Sequence, residues 1–299
     1  MIRISRRRFL NRVPRAAAAV LPAVAFRVSP RARAGARRWT MRLSASSIAF
    51  AGLPVERACE RIARLGFEGI DIWSAHAGCP HLDDVQKRLG GPGLRELLDR
   101  LKLRLNAFSV YAGGYPRYAE LLGKSGGGVA ITGSAAPCEP RDLTRRMRAF
   151  LEGLKPQLEL AEAYGSSLAI ENHGQSLLDS IDSIRAFVDL NRNPRLGIAL
   201  APFHIQARGE SVPAAIRTAG PSLLFFYAWQ HDPLMTLEQL PGHGPADFTP
   251  WIASLADVSY SGYVNPFLHS EPPPDRTEAA LARSRDYLKT CYRNALTPA

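Results

Sequence analysis

What the chain lacks narrows the field before anything it contains. Its 299 residues include four cysteines, at positions 59, 79, 138 and 291, and none is spaced C-x-x-C. Neither a zinc ribbon nor a disulfide scaffold is therefore indicated. Cys59 and Cys291 fall in helical patterns, whereas Cys79 and Cys138 fall in loops, where an exported protein could pair them. No G-x-G-x-x-G opens a helix after a strand and no G-x-x-x-x-G-K-[ST] occurs, so nucleotide binding has no direct support. Gly126-Gly127-Gly128 reads as a flexible loop. The apolar stretch from Ala16 to Phe26 is about half the ~20 residues a bilayer core requires, and Pro22 interrupts it. No stable membrane insertion is expected from it.

Acidic residues and lysine are absent from residues 1–38, which hold eleven arginines. The net charge of +11 belongs to that segment alone, because the rest has 38 − 11 = 27 basic residues against 27 acidic ones. A neutral body is a poor match for a phosphate backbone, so no nucleic-acid partner is expected. Ser5-Arg6-Arg7-Arg8-Phe9-Leu10 resembles a twin-arginine export signal. Small residues that suit cleavage follow at Ala32-Arg33-Ala34 and at Ala23-Val24-Ala25. The expectation is an export leader over 1–38, a periplasmic or other extracytoplasmic destination, and one domain over 39–299.

Along that domain, short runs rich in β-branched and aromatic residues alternate with longer amphipathic patterns, the signature of repeated βα units. Strands are expected at 42–50, 69–73, 105–111, 129–134, 167–174, 196–204, 223–231 and 262–269. Helices are expected over Val55–Leu65, Asp84–Leu103, Leu143–Tyr164, Ser176–Leu190, Val212–Ala219, Ala246–Val258 and Thr277–Leu296. The link AGGYPRYAELLGKSGGG between the third and fourth strands is too irregular to assign. Eight strands separated by helices fit an α/β fold of (β/α)8 TIM-barrel type, with an open doubly wound sheet as the alternative.

In a barrel the active site forms where the strands end, so polar residues there carry the information. They are Asp71 and His76 after the second strand, Glu171, Asn172 and His173 on the fifth, and His204 after the sixth. Gln230 and His231 follow the seventh, and Asn265 and His269 lie on the eighth. Six of the seven histidines sit at or just past a strand end, the exception being His243, or His81 if the second loop is short. Glu171 is the sharpest case, because it follows Ser-Leu-Ala-Ile in a strand that should be buried. A carboxylate there is costly unless paired, hydrogen-bonded or metal-bound.

Ala-Ile-Glu-Asn-His-Gly (169–174), Gly-Ile-Ala-Leu-Ala-Pro-Phe-His (197–204), Phe-Tyr-Ala-Trp-Gln-His (226–231) and Gly-Tyr-Val-Asn-Pro-Phe-Leu-His (262–269) resemble strands five to eight of xylose-isomerase-like TIM barrels. That superfamily contains sugar isomerases, ketose 3-epimerases and endonuclease-IV-like enzymes. The resemblance implies a divalent metal, Mn or Zn, held by Glu171, His231 and the strand-eight position Asn265. It implies that Glu171 and His204 serve catalysis, and that His204, Trp229, His173 and His269 surround the substrate. Two positions depart: Ala201 stands where the family has a metal-binding Asp, and Asn265 where it has a Glu. Such a site moves a proton beside a sugar carbonyl, with the metal as Lewis acid and two carboxylates as acid and base. The expected function is an exported, metal-assisted sugar isomerase or epimerase acting on a small-molecule sugar. With one carboxylate missing, a lyase on an oxidised glycoside and a sugar-binding barrel without catalysis are the alternatives. An endonuclease-IV-like site would require more ligands than the chain supplies.

Overall fold

A computed structural model describes residues 39–74, 78–269 and 272–297. The expected leader at 1–38 and the candidate His76 lie outside the described residues. Eight strands run parallel and in chain order: β1 (Ser44–Ser46), β2 (Gly69–Trp73), β3 (Arg104–Ser109), β4 (Val129–Thr132), β5 (Ser167–Glu171), β6 (Leu196–Leu200), β7 (Leu223–Ala228) and β8 (Val264–Pro266). The two edges meet where Leu43 pairs with Val264 and the Val264 N–H donates to the Arg42 carbonyl at 2.8 Å. The sheet thus closes nearly into a barrel, and the open alternative is set aside.

Helices fill the connections: α1 (Val55–Arg64), α2 (His81–Asp84), α3 (Gly90–Leu101), α4 (Gly114–Lys124), α5 (Leu143–Gly153), α6 (Lys155–Ala163), α7 (Ile181–Leu190), α8 (Pro202–Ala207), α9 (Val212–Ala219), α10 (Thr249–Asp257) and α11 (Pro274–Leu296). Helix α1 shows why they dock. Its buried residues Val55, Ala58, Cys59 and Ile62 fall at i, i+3, i+4 and i+7, one stripe facing the sheet. At the start of α7, Ser180 and Ser183 form a capping box, and Glu210 accepts the Ile181 N–H at 2.8 Å. No described helix is long and apolar enough to cross a membrane.

Several boundaries differ from the sequence pattern, each for a local reason. The irregular link contains α4, whose buried face of Tyr115, Tyr118, Ala119 and Leu122 is masked in sequence by the glycines beside it. The helix expected over Leu143–Tyr164 divides into α5 and α6 at Leu154, just before Pro156, which has no N–H to continue the ladder. The helix expected over Asp84–Leu103 is interrupted by a π-helical turn, Val85–Leu89, ending at Gly90 with φ 60°. Most strands stop earlier than expected. The sixth ends at Leu200 and Pro202 opens α8, so His204 stands on a helical turn and not on a strand.

Side chains alternate across the sheet. Ile70, Ile72, Leu168, Ile170, Ile198, Leu200 and Phe226 join the apolar layer that the helices cover. The opposite parity points into the barrel, where Trp73, Ala107, Ile131, Ala169, Ala199, Phe225 and Tyr227 form a separate cluster. All four cysteines are free thiols, so Cys79 and Cys138 are not paired. Cys79 is fully buried in the interior cluster, whereas Cys138 is only half-buried and packs on the outer layer.

Candidate active site

The C-terminal strand ends open on a cavity of about 140 Å³ lined by Trp73, Tyr111, Gly133, Glu171, His173, Phe267 and His269. Trp73 and Glu171 are the last residues of β2 and β5, and the others lie one to three residues past a strand end. Trp73 stacks on Phe267 with ring centres 5.2 Å apart and 17° between planes, and Tyr111 packs against the same indole at 5.2 Å. This makes an aromatic wall. Glu171 meets it at Tyr111, accepting that hydroxyl at 2.7 Å. Burial pushes the Glu171 carboxyl up to about 7, although the Tyr111 bond and nearby His173 both favour the anion. Two hollows of about 390 Å³ on the helical shell are larger, but they carry surface ion pairs such as Lys155 with Glu152 and Arg208 with Asp179.

Behind Glu171 a hydrogen-bonded chain runs through the barrel. The Tyr111 and Tyr227 hydroxyls lie 3.3 Å apart, and Tyr227 is 3.2 Å from Ser109 Oγ. Ser109 donates to both oxygens of Asp71, at 2.9 and 3.0 Å. Asp71 also accepts from Ser46 Oγ at 2.8 Å and Trp73 Nε1 at 2.5 Å. From Ser46 the chain continues to Asn265 Nδ2 (2.9 Å), from Asn265 Oδ1 to Ser44 Oγ (2.8 Å), and from Ser44 to Asn106 Nδ2 (2.9 Å). Burial pushes Asp71 up to about 7 against the three donors, and raises the phenols of Tyr111 and Tyr227 well above their ordinary range. Both phenols therefore stay protonated.

The remaining expected site residues divide by position. His173 and His269 line the cavity with Glu171. His204 packs on His173, with ring centres 4.0 Å apart, and Phe203 contacts both His204 and His231, with ring centres 5.1 and 4.9 Å away. Burial, reinforced by His173, His269 and His231, pushes His204 down to about 3, so its imidazole is neutral. His204 Nε2 and Trp229 Nε1 are buried without a protein partner among the described residues. Trp229 stacks on Phe203 at 4.4 Å, and its edge meets His269 at 5.0 Å. Other polar residues are braces. Asn172 clamps the Ala201 peptide through Oδ1 and Nδ2, Gln230 holds Glu238 and Ala246, and His81 contacts the Leu53 carbonyl.

A divalent metal does not fit this donor set. Ala201 has no donor, and both amide atoms of Asn265 are committed to Ser44 and Ser46. Among the described residues no group of three or more His, Cys, Asp or Glu could hold an ion. Glu171 is accordingly a hydrogen-bonded carboxylate at a cavity wall, with Asn265 a joint of the interior chain and His231 an exposed ring on Phe203.

Strand-end position alone does not single out Trp73, Tyr111, Tyr227, Ser109 and Phe267 as site residues, and it leaves Asp71 only at a strand end. The available signal was parity: Asp71 and Trp73, Ser109 and Tyr111, and Asn265 and Phe267 are i, i+2 pairs that face inward together.

A model of the family described as xylose isomerase-like TIM barrel matches residues 114–291. No curated protein matches the chain. Among solved structures, a xylose isomerase-like TIM barrel/4-hydroxyphenylpyruvate dioxygenase fusion protein superposes with a TM-score of 0.65 at 18% identity. The match covers 86% of this chain and 44% of the fusion protein, so the chain spans less than half of that relative. The IOLI protein with a binding zinc atom has a TM-score of 0.66 at 17% identity, covering 86% of this chain and 100% of that one. The 3-keto-D-glucoside 4-epimerase YcjR from E. coli, in its apo form, has a TM-score of 0.62 at 16% identity, covering 83% and 100%. These likenesses carry the fold. Because the family model spans more than half of the sequence and eight parallel strands close the barrel beneath it, the chain belongs to the xylose isomerase-like TIM barrel family.

Proposed function

We propose that the chain is a sugar-modifying enzyme in which Glu171 takes a proton from the carbon beside a carbonyl of an unphosphorylated sugar. One observation carries the reading: a buried carboxylate, raised to about 7, faces an aromatic wall of Trp73, Tyr111 and Phe267. A general base works best when its pKa lies near the operating pH. The flat wall suits the C–H face of a sugar ring, and His173 and His269, which line the same cavity, would bond its hydroxyls. No lysine or arginine is among the lining residues, so a phosphate would meet no fixed positive charge there. Structures of similar fold include L-ribulose 3-epimerase and D-psicose 3-epimerase, which accords with sugar chemistry.

With one base at the cavity the chemistry is one-sided, as in isomerisation or β-elimination of a keto glycoside. The metal-assisted form that the resemblance implied is not carried forward, because the donors do not fit. Purified protein incubated in D2O with ketopentoses, ketohexoses and 3-keto glucosides should exchange the hydrogen beside the carbonyl of at least one of them, read by NMR. Glu171→Gln should slow that exchange by about 10²- to 10⁴-fold. Ala201 and Asn265 favour a second reading, a sugar-binding barrel without catalysis. Sugar binding with no exchange in either protein would establish that reading instead.

The leader belongs to the proposal as well. Its eleven arginines and the Ser5-to-Leu10 motif support export by the twin-arginine route to the periplasm. Replacing Arg6 and Arg7 with Lys should block export, and unchanged export would refute it.

A further inference from the structure

The hydroxyl chain between the two buried carboxyls can be counted proton by proton. Four links join its members: Glu171 to Tyr111, Tyr111 to Tyr227, Tyr227 to Ser109, and Ser109 to Asp71. The three hydroxyls supply three protons, and an ionised carboxylate can only accept. With both carboxyls ionised, one of the four links therefore has no proton. Tyr111 must donate to Glu171 and Ser109 to Asp71, leaving Tyr227 to serve one neighbour and not the other. One added proton fills every link. If it resides on Glu171, the bonds run from Glu171 through Tyr111, Tyr227 and Ser109 to Asp71; if on Asp71, all of them run the other way.

The second half of the chain fixes which end rests as the carboxylate and is open to accept a proton. Asn106 Nδ2 donates to Ser44, Ser44 to Asn265 Oδ1, Asn265 Nδ2 to Ser46, and Ser46 to Asp71. Each member of this row points its donor toward Asp71, and Trp73 Nε1 adds another. An amide is the side chain that suits position 265, since it accepts from one serine and donates to the next; a carboxylate there could only accept.

Resting on the reading of Glu171 as the base, we propose that Asp71 is the far end of a proton relay from Glu171, running through Tyr111, Tyr227 and Ser109. When Glu171 has taken a proton from the substrate carbon, its O–H passes a proton to the Tyr111 oxygen. The Tyr111 proton moves to Tyr227, that of Tyr227 to Ser109, and that of Ser109 to Asp71. Each hydroxyl ends neutral, one proton has crossed, no electron changes centre, and Glu171 is again a carboxylate. Asp71 is a positioning residue in this scheme, reaching the substrate only through the relay. The ionisable groups facing the relay are Tyr111 and Tyr227 within it and His173 beside Glu171.

The test needs no substrate. Full-length protein labelled with ¹³C at the Asp and Glu carboxyl carbons is titrated by NMR, with Asp71→Asn and Glu171→Gln assigning the two signals. In the wild type both carbons should report the same two steps, separated by at least about one pH unit, because the pair shares its first proton. In Tyr227→Phe, which keeps the ring and removes the central hydroxyl, each carbon should follow a single step of its own. Ser109→Ala breaks the neighbouring link and should act alike, covering a failure of the first variant to fold. Independent single steps in the wild type, or shared steps that persist in both variants, would overturn the relay. Because turnover is not read, that result would leave Glu171 as the base untouched, whereas loss of exchange in Glu171→Gln bears on the base alone.

Discussion

The two sides of the barrel interior are built from opposite materials. On β1, β2, β3 and β8 the inward polar groups are Ser44, Ser46, Asp71, Asn106, Ser109 and Asn265, beside Trp73 and Ala107, all buried, and the polar ones are joined by hydrogen bonds. On β4, β5 and β6 the inward groups are Ile131, Ala169 and Ala199, with Ala201 just beyond, and the rings of Phe225 and Tyr227 from β7 fill the space these small side chains leave. Glu171 stands at the outer edge of the apolar side and reaches the polar one through Tyr111 and Tyr227. The difference gives meaning to the two departures from the family pattern. Ala201, in place of a ligand, belongs to the apolar packing, and Asn265, in place of a carboxylate, is a two-way joint in the polar chain.

Breaking the polar side should have the largest effect on stability. Asn265→Leu would leave the Ser44 and Ser46 hydroxyls without their partner in a fully buried row, and should cost about 3 kcal/mol in urea denaturation. Overfilling the apolar side should cost less. Ala199→Val pushes two methyl groups toward Phe225 and should destabilise by about 1–3 kcal/mol in the same measurement.

This division was partly legible in the sequence. The eight strands, the barrel, and Glu171 with His173 and His269 near one mouth all follow from periodicity and strand-end position. The chain from Asn106 to Glu171 does not, because its members come from six strands and, Glu171 apart, none stands out alone: a serine, an asparagine, a tyrosine in an apolar run. Only register and closure put Ser44 beside both Asn106 and Asn265. His204 shows the opposite failure. Its strand-end spacing was clear, but Pro202 turned the chain into α8 and buried the imidazole against His173.

The polar side also predicts a pH dependence. Folding raises the Asp71 carboxyl to about 7, so between about pH 4 and pH 7 the folded state binds its proton more tightly than the unfolded chain. Stability from this group is greatest below its unfolded pKa and declines as pH rises toward 7. Denaturation midpoints should therefore fall across that window in the wild type, and Asp71→Asn should flatten part of the slope, the remainder coming from Glu171. The smallest effect is expected at His231, whose side chain is exposed and only meets Phe203: His231→Ala should change stability by no more than about 0.5 kcal/mol.

The direct test of a base working on a hydroxyl chain, and not beside a metal, is the exchange of a substrate hydrogen before and after exhaustive chelation. Once a keto sugar that exchanges in D2O is in hand, its rate in the purified protein should stay within about twofold after treatment with a strong chelator and after re-addition of Mn or Zn, because Ala201 and Asn265 leave no assembled ligand set among the described residues. Loss of exchange on chelation, restored by either ion, would contradict it.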